Sequence, residues 1–182
     1  WSVYWSHELF CDLFATYTLG PAYAWSHLHL TASIDADPFD AKVTQVTRHP
    51  PDQARMEAIL CALDLMGFND EKKEIFTRWN EFLKTIKAKH NSEYRKACPK
   101  ELLEQAAIYA FEATKSIGCV IANKNSNGDI CCLLNEAWRE FWKAPDKYQS
   151  WEKQKIETLK TLFNNTGLGL YKTSTLNIQP KT

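Results

Sequence analysis

Apolar residues along this chain recur at three- and four-residue intervals over long stretches, a spacing that predicts helices almost throughout. The first should run from about Trp5 to Leu19, pause at Gly20-Pro21 and resume from Ala22 to Leu30. Proline ends or kinks a helix because it lacks an amide donor and clashes with the preceding turn. Residues 31 to 49, with Asp35, Asp37, Pro38 and Asp40, read as a loop. Those acids lack the glycine and closing glutamate of a calcium loop, which favours solvated turn chemistry. A second helix starts at Pro50 or Pro51, presents Met56, Ile59, Leu60 and Leu63 on one face, and stops at Gly67. A third spans about Asp70 to Lys89, with Ile75, Phe76, Trp79, Phe82, Leu83 and Ile86 expected inward.

A fourth helix, from Pro99 to Ile117, carries Leu102, Leu103, Ala106, Ala107 and Ala113. After the turn-rich "NKNSNGD", a fifth holds the stripe Leu134, Ala137, Trp138, Phe141 and Trp142 up to Pro145, and a sixth covers about Lys147 to Asn164. The closing stretch "TGLGLYKTSTLNIQPKT" has no helical period. A short strand around Cys119 to Ala122 fits locally, but nothing calls for a sheet. The expected fold is all-α, a compact irregular bundle of about six helices, with residues 1–182 as a single helical domain.

Composition narrows the function classes. Lys plus Arg number 22 and Asp plus Glu number 22, so the balance lacks the basic excess of a general nucleic-acid binder. Aromatic residues make up 13% of the chain, with seven Trp, which suits a packed core and excludes a disordered chain. No run of about 18 apolar residues exists, so no membrane span is expected. The six cysteines form no Cys-x-x-Cys pair and no disulfide framework, and reduced thiols in a cytoplasmic protein are the expectation. The chain opens on Trp1 without the basic and apolar regions of a signal peptide, and reads as the C-terminal part of a longer polypeptide.

Candidate chemistry sits in "HELFCDLFATYTLGPAY", residues 7 to 23. Glu8 and Asp12 lie four apart in an apolar, aromatic run, so they share one helix face and should be at least partly buried. Buried carboxylates cost several kcal/mol unless paired, hydrogen-bonded or bound to a metal. That geometry suits a metal ligand backed by an acid that orients another ligand. A competing use of the same letters pairs His7 and Cys11 as ligands at i and i+4, with Glu8 beside them as base.

Two stretches carry a family resemblance. "ELFCDLFA", followed by "TRHPPDQARMEAIL", resembles the glutamate-bearing helix and the next helix of gluzincin-type zinc metallopeptidases of the CAAX prenyl protease and HtpX heat-shock protease kind. The resemblance covers about residues 5 to 63. It implies Glu8 as the third zinc ligand and Asp12 as the acid that orients a ligating histidine. It further implies that His49 donates to the oxyanion and that Arg55 positions substrate or holds the acids. No His-Glu-x-x-His occurs in these residues, so the resemblance also implies that zinc needs ligands from an upstream segment of the same polypeptide. The partners it implies are that segment and a peptide or protein substrate.

Plainer readings stand beside these. Glu8 and Asp12 could be acids of a first helical turn that favour the dipole. His49 could be a turn histidine before a proline-started helix, and His90 a helix C-terminal residue. His27 and His29, two apart, read as partly exposed core-edge residues, Trp138 and Trp142 as core, and Lys84, Lys87 and Lys89 as a solvated face. The alternative function is a non-catalytic helical module that binds a protein or regulates an attached domain.

Overall fold

A computed structural model describes residues 3–34, 36–41, 49–89, 92–124 and 130–165. Among them the chain forms eight helices and no strand. These are α1 (Val3–Leu19), α2 (Pro21–Ala32), α3 (Asp52–Leu65), α4 (Asn69–Thr85), α5 (Ser92–Ala97), α6 (Lys100–Ser116), α7 (Ile130–Lys143) and α8 (Pro145–Asn165). The all-α expectation holds. The helix count rises from about six for two reasons: the pause at Gly20 makes two separate helices, and the short α5 has too few turns to show a period. Residues 119–122 form no regular element. His90, most of "NKNSNGD" and the closing stretch from residue 166 lie outside the described residues.

The chain divides into two compact units, Trp1–Trp138 and Arg139–Thr182. In the first, α1 is the central element. Trp5, Leu9, Leu13 and Tyr17 recur every fourth residue and are buried against Ala54, Ala58 and Ala62 of α3 and Leu103, Ala107 and Ala110 of α6. Small alanine side chains at four-residue spacing let α3 and α6 come close to α1, so large groups on one helix fill the space left by small ones on the others. Tyr17 anchors this layer by donating its hydroxyl to the Ala107 carbonyl at 2.6 Å. In the second unit, Tyr148 meets Phe141 edge-on at 5.6 Å between ring centres and lies against Trp151 at 5.7 Å.

Backbone punctuation explains the breaks. Gly20 adopts φ 64°, a left-handed conformation that other residues reach at a cost, and Pro21 then starts α2. Gly67, at φ 79°, ends α3 in a Schellman motif, with Phe68 donating its amide to Leu63 at 2.9 Å and Gly67 donating to Asp64 at 3.0 Å. The end of α4 repeats this motif with Lys87 at φ 54° in the glycine position.

The covered faces are narrower than the periodicity implies. Met56, Ile59, Leu60 and Leu63 are all buried, as are Ile75 and Trp79. Phe76 and Ile86, expected inward, are exposed, and so is Leu102. All six cysteines are free thiols, with Cys98 and Cys131 buried and Cys11 exposed.

Candidate functional site

Three helices converge on one carboxylate. Asp12, in the third turn of α1, is 2% exposed. Arg55, from the first turn of α3, grips it with two parallel hydrogen bonds, Nε to Oδ2 at 2.7 Å and Nη2 to Oδ1 at 2.8 Å. Tyr23, from the first turn of α2, donates its hydroxyl to Oδ1 at 2.5 Å. A bidentate guanidinium–carboxylate pair is among the stronger charge-assisted arrangements, and here it also satisfies a carboxylate withdrawn from water. Burial alone would lower the affinity of Arg55 for its proton; the hydrogen bonds and charge of Asp12, with Tyr23 and Asp52, more than reverse that. The Tyr23 phenol is likewise pushed upward, first by burial and then by its bond to Asp12, so it stays a donor.

Glu8 lies one turn earlier on the same face and is treated differently. Its carboxylate is 38% exposed, and Oε2 lies 3.1 Å from Nδ1 of His49, itself 65% exposed. His49 reaches it because Pro50 and Pro51 lead directly into α3, which packs along α1. The structure therefore places Glu8, Asp12, His49 and Arg55 along one α1–α3 edge. The buried pair is locked, and the outer pair faces solvent. The first-turn explanation for the two acids does not survive: α1 begins at Val3 and has no acid in its first turn.

His27 corrects a second expectation. Rather than sitting at a partly exposed core edge, it is buried, with Nε2 3.3 Å from the Asp52 carbonyl oxygen and its ring stacked on Trp79 at 6.0 Å. Burial lowers its proton affinity, and the nearby Arg55 cation lowers it further. Arg55 Nη1 also reaches Asp52 Oδ1 at 3.5 Å. The imidazole is thus held neutral beside an arginine whose charge is already committed to carboxylates. A parallel polar chain runs from Trp79 through Gln53 and Glu57 to Arg95, which grips Glu57 at 2.9 Å through both Nη atoms.

Tyr23, His27 and Asp52 were not singled out as site residues by sequence reasoning. The one trace of Tyr23 is its position just after the Gly20-Pro21 break, which returns the chain to α1. His7 and Cys11, the competing ligand pair, are both exposed.

A catalytic zinc requires three protein ligands. Among the described residues no group of three His, Cys, Asp or Glu side chains could hold a metal ion. The donor chemistry fits part of such a site, one solvent-facing carboxylate ahead of a fixed acid, and does not complete it. No family model, no curated protein and no solved structure matches this chain.

Proposed function

We propose that this chain is the helical C-terminal part of a zinc-metallopeptidase-like protein, contributing Glu8 as one zinc ligand and Asp12 as the acid that orients a second. The histidines would come from a His-Glu-x-x-His helix elsewhere in the same polypeptide. The observation that carries this reading is the unequal treatment of two carboxylates on one helix face. Asp12 is immobilised by Arg55 and Tyr23, whereas Glu8 is left at the surface beside His49.

Zinc bound at such a site supplies an activated water and polarises the scissile carbonyl. The residues of this chain have other tasks. Arg55 would keep Asp12 oriented, Asp12 would accept an N–H from a ligating histidine, and His49, exposed at the edge, would donate toward an oxyanion. Elemental analysis of the full-length polypeptide tests this: one zinc per chain in the wild type and loss of it in Glu8→Gln support the reading. Full retention in Glu8→Gln, or a full-length polypeptide without a His-Glu-x-x-His helix, overturns it.

One observation favours the second reading, a non-catalytic module. An apolar groove of about 350 Å³ between α1 and α6 is walled by Phe10, Leu102 and Tyr109, all exposed. That reading requires a full-length polypeptide free of stoichiometric zinc.

A further inference from the structure

The groove between α1 and α6 takes no part in the Asp12 site. Its floor is Leu9 and Leu13 of α1 with Ala110 of α6, all buried, and its walls are Phe10, Leu102 and Tyr109. Phe10 is stacked with Phe14 one turn later at 6.3 Å between ring centres, which braces that wall. Ala106, in the lining on the α6 side, is too small to fill the space between them. Ser6, Gln105 and the Tyr109 phenol supply the hydrogen-bonding side chains, and all three residues are exposed, so polarity is confined to the rim. None of the ten lining residues carries a charge.

Size and charge together choose the occupant. Phe10, Leu102 and Tyr109 are 42%, 39% and 70% exposed. With roughly 150–250 Å² to an aromatic side chain, these walls offer about 300 Å², well short of the roughly 800 Å² per partner in a stable protein interface. The volume, by contrast, falls within the range of small-molecule sites. A dry cavity of about 150 Å³ accommodates benzene, so a groove of about 350 Å³ takes roughly ten to fourteen carbon atoms. A charged ligand would exchange water for an apolar floor without a counter-charge, which is costly. We propose that the α1–α6 groove binds a neutral, largely apolar small molecule of about that size with one hydrogen-bonding end. The apolar part lies on Leu9, Leu13 and Ala110, and the polar end meets Ser6, Gln105 or Tyr109 at the rim. No residue of the Asp12 edge is involved, so the site does not depend on zinc.

The 182-residue chain titrated with N-phenyl-1-naphthylamine, an uncharged fluorophore that brightens in apolar surroundings, should show one saturable site per chain. 1-Decanol should displace it. Decanoate, with the same carbon count and a charge at neutral pH, should need a concentration higher by about tenfold or more. Ala106→Leu fills the groove and Tyr109→Ala removes a wall, and each should raise the fluorophore's dissociation constant about tenfold with an unchanged circular dichroism spectrum. Tyr109 is exposed, so its variant tests the groove even where Ala106→Leu disturbs the helix packing. Val120→Ala trims an exposed apolar residue outside the groove and should leave binding unchanged. Absence of saturable binding, equal displacement by decanol and decanoate, or binding indifferent to Tyr109→Ala overturns the proposal. A dimer in sedimentation that must dissociate before the fluorophore binds also overturns it, because the occupant is then a second copy of the chain.

Discussion

Replacing Arg55 with alanine leaves Asp12 buried with Tyr23 as its remaining donor. Breaking a buried ion pair from one side typically costs 3–5 kcal/mol, because the remaining charge loses its partner without regaining water. Here the side chains are 16% and 3% exposed, so solvent can screen the orphaned carboxylate only slightly. Tyr23 still holds Oδ1, which places the expected loss near the lower end, about 3 kcal/mol. At roughly 2–4 °C per kcal/mol for a chain of this size, the midpoint should fall by about 6–12 °C. Urea titration followed by far-ultraviolet circular dichroism should show a lower midpoint at unchanged slope. The companion variant Asp12→Asn strands the arginine in turn. The Arg55→Ala/Asp12→Asn double variant should then cost less than the sum of the two, by about 2 kcal/mol, because neither charge is left alone. Additive losses, or an Arg55→Ala loss under about 1 kcal/mol, would show that the pair is not desolvated as the geometry states.

Glu8→Gln and His49→Ala should each change stability by less than about 1 kcal/mol, because exposed ion pairs contribute little; a larger loss by urea titration would make the outer pair structural. His27 is held below its ordinary value of 6.5, first by burial, so the unfolded chain takes up its proton before the folded one does. Its contribution is therefore intact above about pH 6.5 and declines as pH falls below that, and the stability gap between wild type and His27→Gln should narrow between pH 7 and pH 5. A gap that widens on acidification would contradict the neutral buried ring. Lys87→Gly should raise stability by about 0.5–1 kcal/mol by relieving a left-handed residue at the end of α4, and calorimetry showing a loss would contradict that strain.

Helices were legible wherever a long apolar stripe faced the interior, which is why α1, α3 and α6 follow their expected spans to within a few residues. The period cannot report how wide a covered stripe is. Phe76 on α4 and Ile86 at its end keep the helical repeat, yet both are exposed. Short α5 was invisible because six residues with a single buried anchor, Tyr94, contain no repeat. Glu8 and Asp12 announced themselves as acids in an apolar run. Arg55 lies 43 residues from Asp12 and could be linked to it only through the likeness to peptidase helices. Tyr23 and His27 had no such pointer: a tyrosine is expected in any core, and burial of His27 depends on α4 supplying Trp79.

In the proposed zinc role, Glu8 is held outward as a ligand while Asp12 is fixed behind it. Anomalous scattering at the zinc edge from crystals of the zinc-loaded full-length polypeptide tests it most directly. The expected result is a single peak about 2.0–2.2 Å from a Glu8 carboxylate oxygen, with a ligating histidine donating to the Asp12 carboxylate. A zinc peak remote from Glu8, or Asp12 turned away from every zinc ligand, would contradict it.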